Sequence, residues 1–266
     1  MQSDFEKLRL LLENDIAYSI YILGIFEHYS SNQYKLNYSL GEYPNFGLII
    51  SECTSNNYLL LAGSKSIIEE IAKNIKLPKK NQLISANIDH LAILKKQYKL
   101  VNYSEQYRMM VTAENFQIDN SKHRFQIRKM IPKDIDIMKN FYLSAGHKIN
   151  FDQKLIHKGA FYGAFKNNNL IACAGTHIIS EKSQCAAIGN ILTNFNYRGL
   201  GIAKKLTSLV TKKLLESNIS KITLSVDIEN SIAYSIYDKL GYKIVTKNFE
   251  GHLRKQSKFN FSKILN

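Results

Sequence analysis

Cysteine, proline and long apolar runs are all scarce in this chain. Its three cysteines, Cys53, Cys173 and Cys185, are odd in number and none stands in a CxxC spacing. That argues against a disulfide framework and against a zinc site, and leaves buried free thiols as the expectation. Only three prolines occur in 266 residues, 45% of residues are apolar, 22% are charged, and no segment is of low complexity. Disordered and fibrous classes are excluded on that basis. The apolar run IAYSIYILGIF at 16–26 is 11 residues long and follows the charged opening MQSDFEKLRLLLEND. It is too short to span a bilayer and lacks signal-peptide flanks, so a cytoplasmic protein with no membrane partner is expected.

Acidic residues are short in one half only. Up to Ile118, 12 Lys and Arg balance 12 Asp and Glu; from Asp119 onward 24 face 10, which accounts for the whole net charge of +14. An anionic ligand is therefore expected in the second half. Nucleic acid is set aside as that ligand, because helix-turn-helix, zinc and aromatic RNA-binding motifs are missing and the lysines are dispersed.

The length fits one large domain or two of roughly 120 to 150 residues. The polar segment TAENFQIDNSKHR at 112–124 lacks sustained apolar periodicity and coincides with the charge break, so it reads as a linker between domains at 1–118 and 124–266. After it, FQIRKM at 125–130 alternates with period 2, Pro132 opens a helical segment, and residues 148–158 read as a second short helix. FYGAF at 161–165 turns through Asn167 to Asn169 into LIACAGTHIIS at 170–180, and CAAIGNILT at 185–193 is a further strand. A helix follows with Ala203, Leu206, Val210 and Leu214 at three- and four-residue steps, then the strand KITLSVD at 221–227. Asn230 or Ser231 caps the last helix, Gly241 ends it, and a strand starts at Lys243. This order predicts a mixed α/β sheet with helices on its faces.

The first half is less regular. A helix is expected at 5–12, strands at 46–51 and 58–63, and a helix at 66–75 with Ser66 and Glu69 at capping-box spacing. The strand, Gly63, helix order there echoes the second half without its basic residue or second glycine.

That second-half turn is NYRGLGIAKKLTSLV, 196–210. It is not a P-loop, for which GxxxxGK followed by Ser or Thr is needed. As a dinucleotide fingerprint it fails at Lys204, which stands where the third glycine belongs, and Asp227, 26 residues beyond Gly201, fits only loosely as the ribose acid. The remaining pattern is Arg198-x-x-Gly201-x-Ala203 at the mouth of a long helix. Small residues there let several N–H groups converge on one point with the helix dipole behind them, which suits a pyrophosphate, and Arg198, Lys204 and Lys205 would reinforce it. On the loop alone, a plain glycine turn before a solvated basic helix stays equally open.

A second constellation, Asn230, Ala233, Tyr237, Lys239, Gly241 and Tyr242, lies about 30 residues downstream. Together with Arg198, Gly201 and Ala203 it resembles the Gcn5-related N-acetyltransferase (GNAT) family across about residues 124–255, and in particular members that carry a degenerate acetyltransferase-like N-terminal domain. The resemblance implies a mixed, mostly antiparallel sheet flanked by helices. It also implies an acyl-CoA-dependent N-acetyltransferase with acetyl-CoA as co-substrate, no metal, and a small-molecule, protein or peptide amine as acceptor. By the same resemblance Ile191, Leu192 and Thr193 would meet the pantetheine arm and thioester, and Arg198, Gly199, Leu200, Gly201, Ile202, Ala203 and Lys204 the pyrophosphate, with Asn230 nearby.

Tyr237 matches the family tyrosine that protonates the leaving thiolate. The base departs from the pattern: many relatives carry a glutamate before the loop, and CAAIGNILT has no acid. Candidates are His177 on the neighbouring strand, Asp227, Glu229, or a water polarised by Asn190. The missing acid keeps a non-catalytic acyl-CoA-binding module as the alternative. The acceptor pocket would be shaped by residues 133–158 and by the N-terminal domain; Phe141, Tyr142, Phe151, Phe161 and Tyr162 in that region read first as core.

Overall fold

The computed structural model describes residues 2–53, 58–76, 79–147 and 153–255. In chain order they form α1 (Gln2–Glu13), α2 (Ile16–His28), β1 (Lys35–Ser39), β2 (Gly47–Cys53), β3 (Tyr58–Gly63), α3 (Lys65–Asn74), β4 (Lys80–Ala86), α4 (Ile88–Lys95) and β5 (Tyr98–Val111). Then follow β6 (Gln126–Lys129), α5 (Ile135–Ser144), α6 (Gln153–Lys158), β7 (Phe161–Lys166), β8 (Asn169–Ser180), β9 (Cys185–Thr193), α7 (Ile202–Glu216), β10 (Lys221–Asp227), α8 (Ser231–Lys239) and β11 (Lys243–Lys255). Of the expected helix at 148–158, only the α6 part falls among the described residues. No described helix is long and apolar enough to cross a membrane.

Packing sorts the described residues into two units, each drawn from separate stretches: 2–14, 28–106 and 247–255 in the first, 15–27 and 107–246 in the second. The 112–124 segment, expected as a linker, therefore lies inside the second unit. It is polar because it is a surface strap, yet it is held: Gln117 N–H donates to the Leu240 carbonyl at 3.0 Å, and a Cβ on Gly241 would sit 1.9 Å from the Asn115 carbonyl oxygen.

In the first unit β1, β2 and β3 pair antiparallel, β4 joins β3 in parallel, and the 249–254 part of β11 pairs antiparallel with β4. Ile49, Leu59, Leu61, Ile68, Leu91, Tyr98 and Phe249 form its core. The helix expected to start at Ser66 starts earlier, with Ser64 at the N-cap. Glu69 accordingly makes no capping box; it binds Lys96 instead. Between β3 and α3 the turn is a single residue, and the Gly63 carbonyl accepts from the buried His90 Nε2–H at 2.9 Å.

The second unit orders its strands as the end of β5, then β10, β9, β8, β7 and β6. Pairs β6–β7, β7–β8 and β8–β9 are antiparallel and β9–β10 is parallel, so the sheet is mixed and mostly antiparallel, as expected. Strand alternation divides the core in two. Ala172 and Ala174 of β8 belong to the cluster with Leu206, Val210 and Leu214 of α7, whereas Cys173 joins Phe161 and Phe165 against Met138, Phe141 and Tyr142 of α5. Phe141, Tyr142 and Phe161 are thus core residues, Tyr162 is half-buried on the α7 side, and Phe151 lies outside the described residues. Cys173 and Cys185 are buried free thiols, and the side chain of Cys53 is outside the described set.

Helix α2 belongs to this unit although in sequence it lies between two stretches of the first. Gly24 lets it lie flush on β8: a Cβ there would sit 2.1 Å from Ile178 Cγ1. The Glu27 carboxylate accepts from Ser180 Oγ at 2.8 Å and from the Glu181 N–H at 3.1 Å.

Candidate active site

The first residues of β9 pair with β10, from Cys185 opposite Lys221 to Ala187 opposite Thr223. Beyond Ala187 the recorded partners of β9 lie on β8: Ile188 with Thr176, Gly189 with Gly175, Leu192 with Cys173 and Thr193 with Ala172. Strands β9 and β10 therefore part after Ala187. Between Gly189 and Leu192 β9 uses one residue more than β8 does, and Asn190 takes φ +52°, so the parting strand carries a bulge. The Tyr142 hydroxyl donates to the Asn190 carbonyl and fixes it. Ile191, Leu192 and Thr193 follow, each half-buried. Thr193 Oγ1 and Ser225 Oγ, one on each parting strand, are buried and have no hydrogen-bond partner among the described residues. Such groups cost stability unless something meets them.

After β9, Asn194 starts a tight turn by accepting the Asn196 N–H at 3.0 Å. Gly199 and Gly201 follow at φ +76° and +75°, the left-handed region where a side chain is strained. Gly201 is the N-cap of α7 and has no side chain to cap with, so the N–H groups of Ile202, Ala203 and Lys204 lack intrahelical acceptors. A Cβ on Gly199 would meet nothing within 4 Å. The turn thus presents three backbone donors and the positive end of a 15-residue helix, with open space around Gly199 and the exposed Leu200 beside it.

Two of the expected basic reinforcements are engaged elsewhere. Lys204 Nζ lies 3.6 Å from Asp119 Oδ1, and Lys205 Nζ donates to the Asp119 carbonyl at 2.7 Å. Asp119 is buried on the strap, where its N–H donates to Ser208 Oγ at 2.8 Å. Burial alone would raise its pKa, but hydrogen bonds from the Ser121 hydroxyl and N–H and the two lysine charges hold it below the usual carboxylate value. Only the backbone of Lys204 is left to the turn. The same strap brings His123 to the loop: its Cε1 would lie 3.5 Å from a Cβ on Gly201. Nothing local in the sequence announced that approach. Arg198 is exposed; its Nε donates to the Thr193 carbonyl at 3.3 Å, and its guanidinium carbon lies 5.5 Å from the Phe195 ring centre.

On the far side, Asn230 caps α8 by accepting the Ala233 N–H at 3.0 Å. Tyr237, 7% exposed, shares one apolar cluster with Ile191 of β9 and stacks edge-on to Tyr242 at 6.3 Å. Burial pushes its phenol up to about 12, so it holds its proton at neutral pH. Among the four base candidates, Asp227 Oδ1 accepts the Glu229 N–H at 2.9 Å and serves the turn before α8, while Glu229 is exposed. Asn190 contributes its carbonyl to Tyr142. His177 lies beside Gly189, where a Cβ would come within 3.1 Å of its Nδ1. His177 is exposed as a residue, while protein atoms crowd around its ring. Desolvation first and the Arg108 charge second lower its pKa to about 4, and both favour the neutral form. No group of His, Cys, Asp and Glu suited to a metal occurs among the described residues.

Residues 130–242 match the model of the Acetyltransferase (GNAT) family. A 72-residue stretch is 32% identical to N-alpha-acetyltransferase 30 of Saccharomyces cerevisiae, covering 27% of this chain and 41% of that protein. The match thus spans less than half of the yeast relative. Among solved structures, a Drosophila protein aligns over 96% of this chain and 97% of its own with a TM-score of 0.73 at 11% identity. A tandem GNAT protein from the clavulanic acid biosynthesis pathway aligns over 89% of this chain and 87% of its own, with a TM-score of 0.55 at 8% identity. At such identities the likeness is one of fold.

Proposed function

The chain belongs to the GNAT acetyltransferase family through residues 130–242, and on that premise we propose that it is an N-acyltransferase moving an acetyl group from acetyl-CoA to an amine. The observation that carries this reading is the uncapped start of α7, with Gly199 and Gly201 left-handed, at the end of a strand that parts from its neighbour. The residues fit the ligand. Three N–H donors with open space before Gly199 suit a pyrophosphate, and the unpartnered hydroxyls of Thr193 and Ser225 suit the amide-bearing arm that would lie between β9 and β10. Bound there, acetyl-CoA supplies an activated acyl thioester.

The protein's part is to orient and to manage two protons. Ile191, Leu192 and Thr193 offer backbone groups along the parted edge, Arg198 keeps its Nη groups for phosphate, and Asn230, whose Oδ1 caps α8, keeps its amide NH2 group for the cofactor. Tyr237 donates its phenolic proton toward the leaving sulfur, a role for which a phenol neutral at working pH is suited. His177, neutral by the same argument, accepts the proton that the amine nitrogen sheds on bonding to the acyl carbon. A base of lowered pKa is weak against a free ammonium ion but adequate once that nitrogen has lost its basicity.

The yeast relative's name makes a protein N-terminal amine one acceptor class, and a small-molecule amine is the other. For residues 1–118 the proposal is a degenerate copy of the same fold: β2, β3, α3 and β4 repeat the antiparallel, helix, parallel order of β8, β9, α7 and β10. A second reading, a binding module without turnover, draws on the lack of any acid on β9.

The test is release of free CoA from acetyl-CoA with panels of peptide and small-molecule amines. Tyr237→Phe is expected to lower kcat by about a hundredfold while leaving acetyl-CoA binding unchanged. Full activity in that variant removes Tyr237 from the acid role; binding without turnover on any amine favours the second reading.

A further inference from the structure

We propose that Tyr21, on helix α2, is a positioning residue for acyl transfer: its hydroxyl oxygen accepts the Nδ1–H of His177 and fixes the tautomer whose bare Nε2 receives the amine proton. This rests on the acyl-transfer reading given above.

The geometry has three parts. Tyr21 Oη lies 3.1 Å from His177 Nδ1, and the two rings meet edge to face with centroids 5.6 Å apart and an interplanar angle of 89°. The hydrogen bond of the ring among the described residues is the one at Nδ1, and His177 as a residue is exposed. One nitrogen is thus held and the other is available. A bulge then aims the ring: β8 uses Thr176 and Ile178 opposite Ile188 and Ala187, so His177 is the extra residue, a device that turns a side chain out of the regular pleat. Gly189 leaves the ring its room.

Helix α2 is anchored close to that point, by Gly24 on Ile178 and by Glu27 on Ser180 and the Glu181 N–H, so the Tyr21 hydroxyl is delivered by a fixed backbone. The tautomer follows from the role. A neutral imidazole has one N–H and one lone pair, so a ring that accepts a proton at Nε2 must carry its own on Nδ1, where Tyr21 is the acceptor. In the step itself the amine N–H bond breaks, the proton bonds to Nε2, and the ring becomes a cation. The buried Arg108 guanidinium, 5.4 Å from the Tyr21 ring centre, disfavours that cation, so the proton passes on to solvent, to which His177 is exposed as a residue. Tyr21 and Arg108 are the titratable groups recorded against this ring, from α2 and β5 respectively.

The closing experiment reads the tautomer directly, by 15N chemical shifts of histidine-labelled protein, with His177→Gln assigning the resonance. The expected result is an Nδ1–H tautomer in the unmodified protein and a shift toward Nε2–H in Tyr21→Phe. That variant should also lose about tenfold in kcat at unchanged KM for acetyl-CoA, with no further loss when combined with His177→Gln. An Nε2–H tautomer in the unmodified protein, or equal kcat in Tyr21→Phe, overturns the inference while CoA release persists. A protein that neither binds acetyl-CoA nor releases CoA overturns the acyl-transfer reading as well, so the two failures are told apart.

Discussion

Tyr237 and Tyr242 sit in dry surroundings beside one another, and burial raises both phenols, that of Tyr237 to about 12. Tyr142 is raised by burial in the same way. An unfolded chain ionises its tyrosines near pH 10, at about the ordinary phenol value, whereas the folded protein keeps these protons. Their contribution to stability is therefore fully present below pH 10 and is lost as pH rises toward 12, at up to about 1.4 kcal/mol per pH unit for each group. Thermal melts from pH 8 to pH 11 should show a flat midpoint that falls steeply above pH 10, and Tyr237→Phe should make that fall shallower. A midpoint that stays level to pH 11 would show these phenols to be wetter than their burial implies.

At the scale of elements, the start of α7 rests on residues with no side chain to clash. Leu206, Val210 and Leu214 bury one face of the helix completely or nearly so, each worth about 2 kcal/mol, so the helix itself is secure. Its first turn is another matter, since Gly201 holds φ +75° and any Cβ there is strained. Gly201→Val is expected to cost about 1–2 kcal/mol in stability and to abolish acetyl-CoA binding by calorimetry. Ala203→Ser, whose backbone stays helical, should keep both. Wild-type affinity in the valine variant would place the phosphates elsewhere.

For the molecule as a whole, the second unit is not a contiguous piece of chain. It takes residues 15–27 from between two stretches of the first unit and 107–111 from β5, including the fully buried Met109. Each such buried apolar side chain contributes about 1.5–3 kcal/mol, against a total stability of about 5–15 kcal/mol for a domain. A fragment of residues 124–266 is accordingly expected to lack a cooperative thermal transition, although it contains the whole of the family match. Restoring residues 107–123 and supplying 15–27 as a peptide should recover one. A cooperative melt of the 124–266 fragment alone would show that α2 is dispensable.

Much was legible along the chain because the information is local. Strand and helix periods from 125 to 255, the Asn230 cap, the Gly241 stop and the spacing of Arg198, Gly201 and Ala203 all depend on residues within a few positions of one another. These features, together with the downstream tyrosine, carried the fold class and the family resemblance that the match over residues 130–242 bears out. What lay beyond reach depends on pairs far apart: Asp119 taking Lys204 and Lys205, and Tyr21 meeting His177 across a separation of 156 residues. A side chain's period in its own strand says which face it occupies, not which helix covers that face. The sequence by itself determined that a glycine turn precedes a long basic helix. Only tertiary packing decided which of its lysines are already engaged, and which histidine nitrogen meets Tyr21.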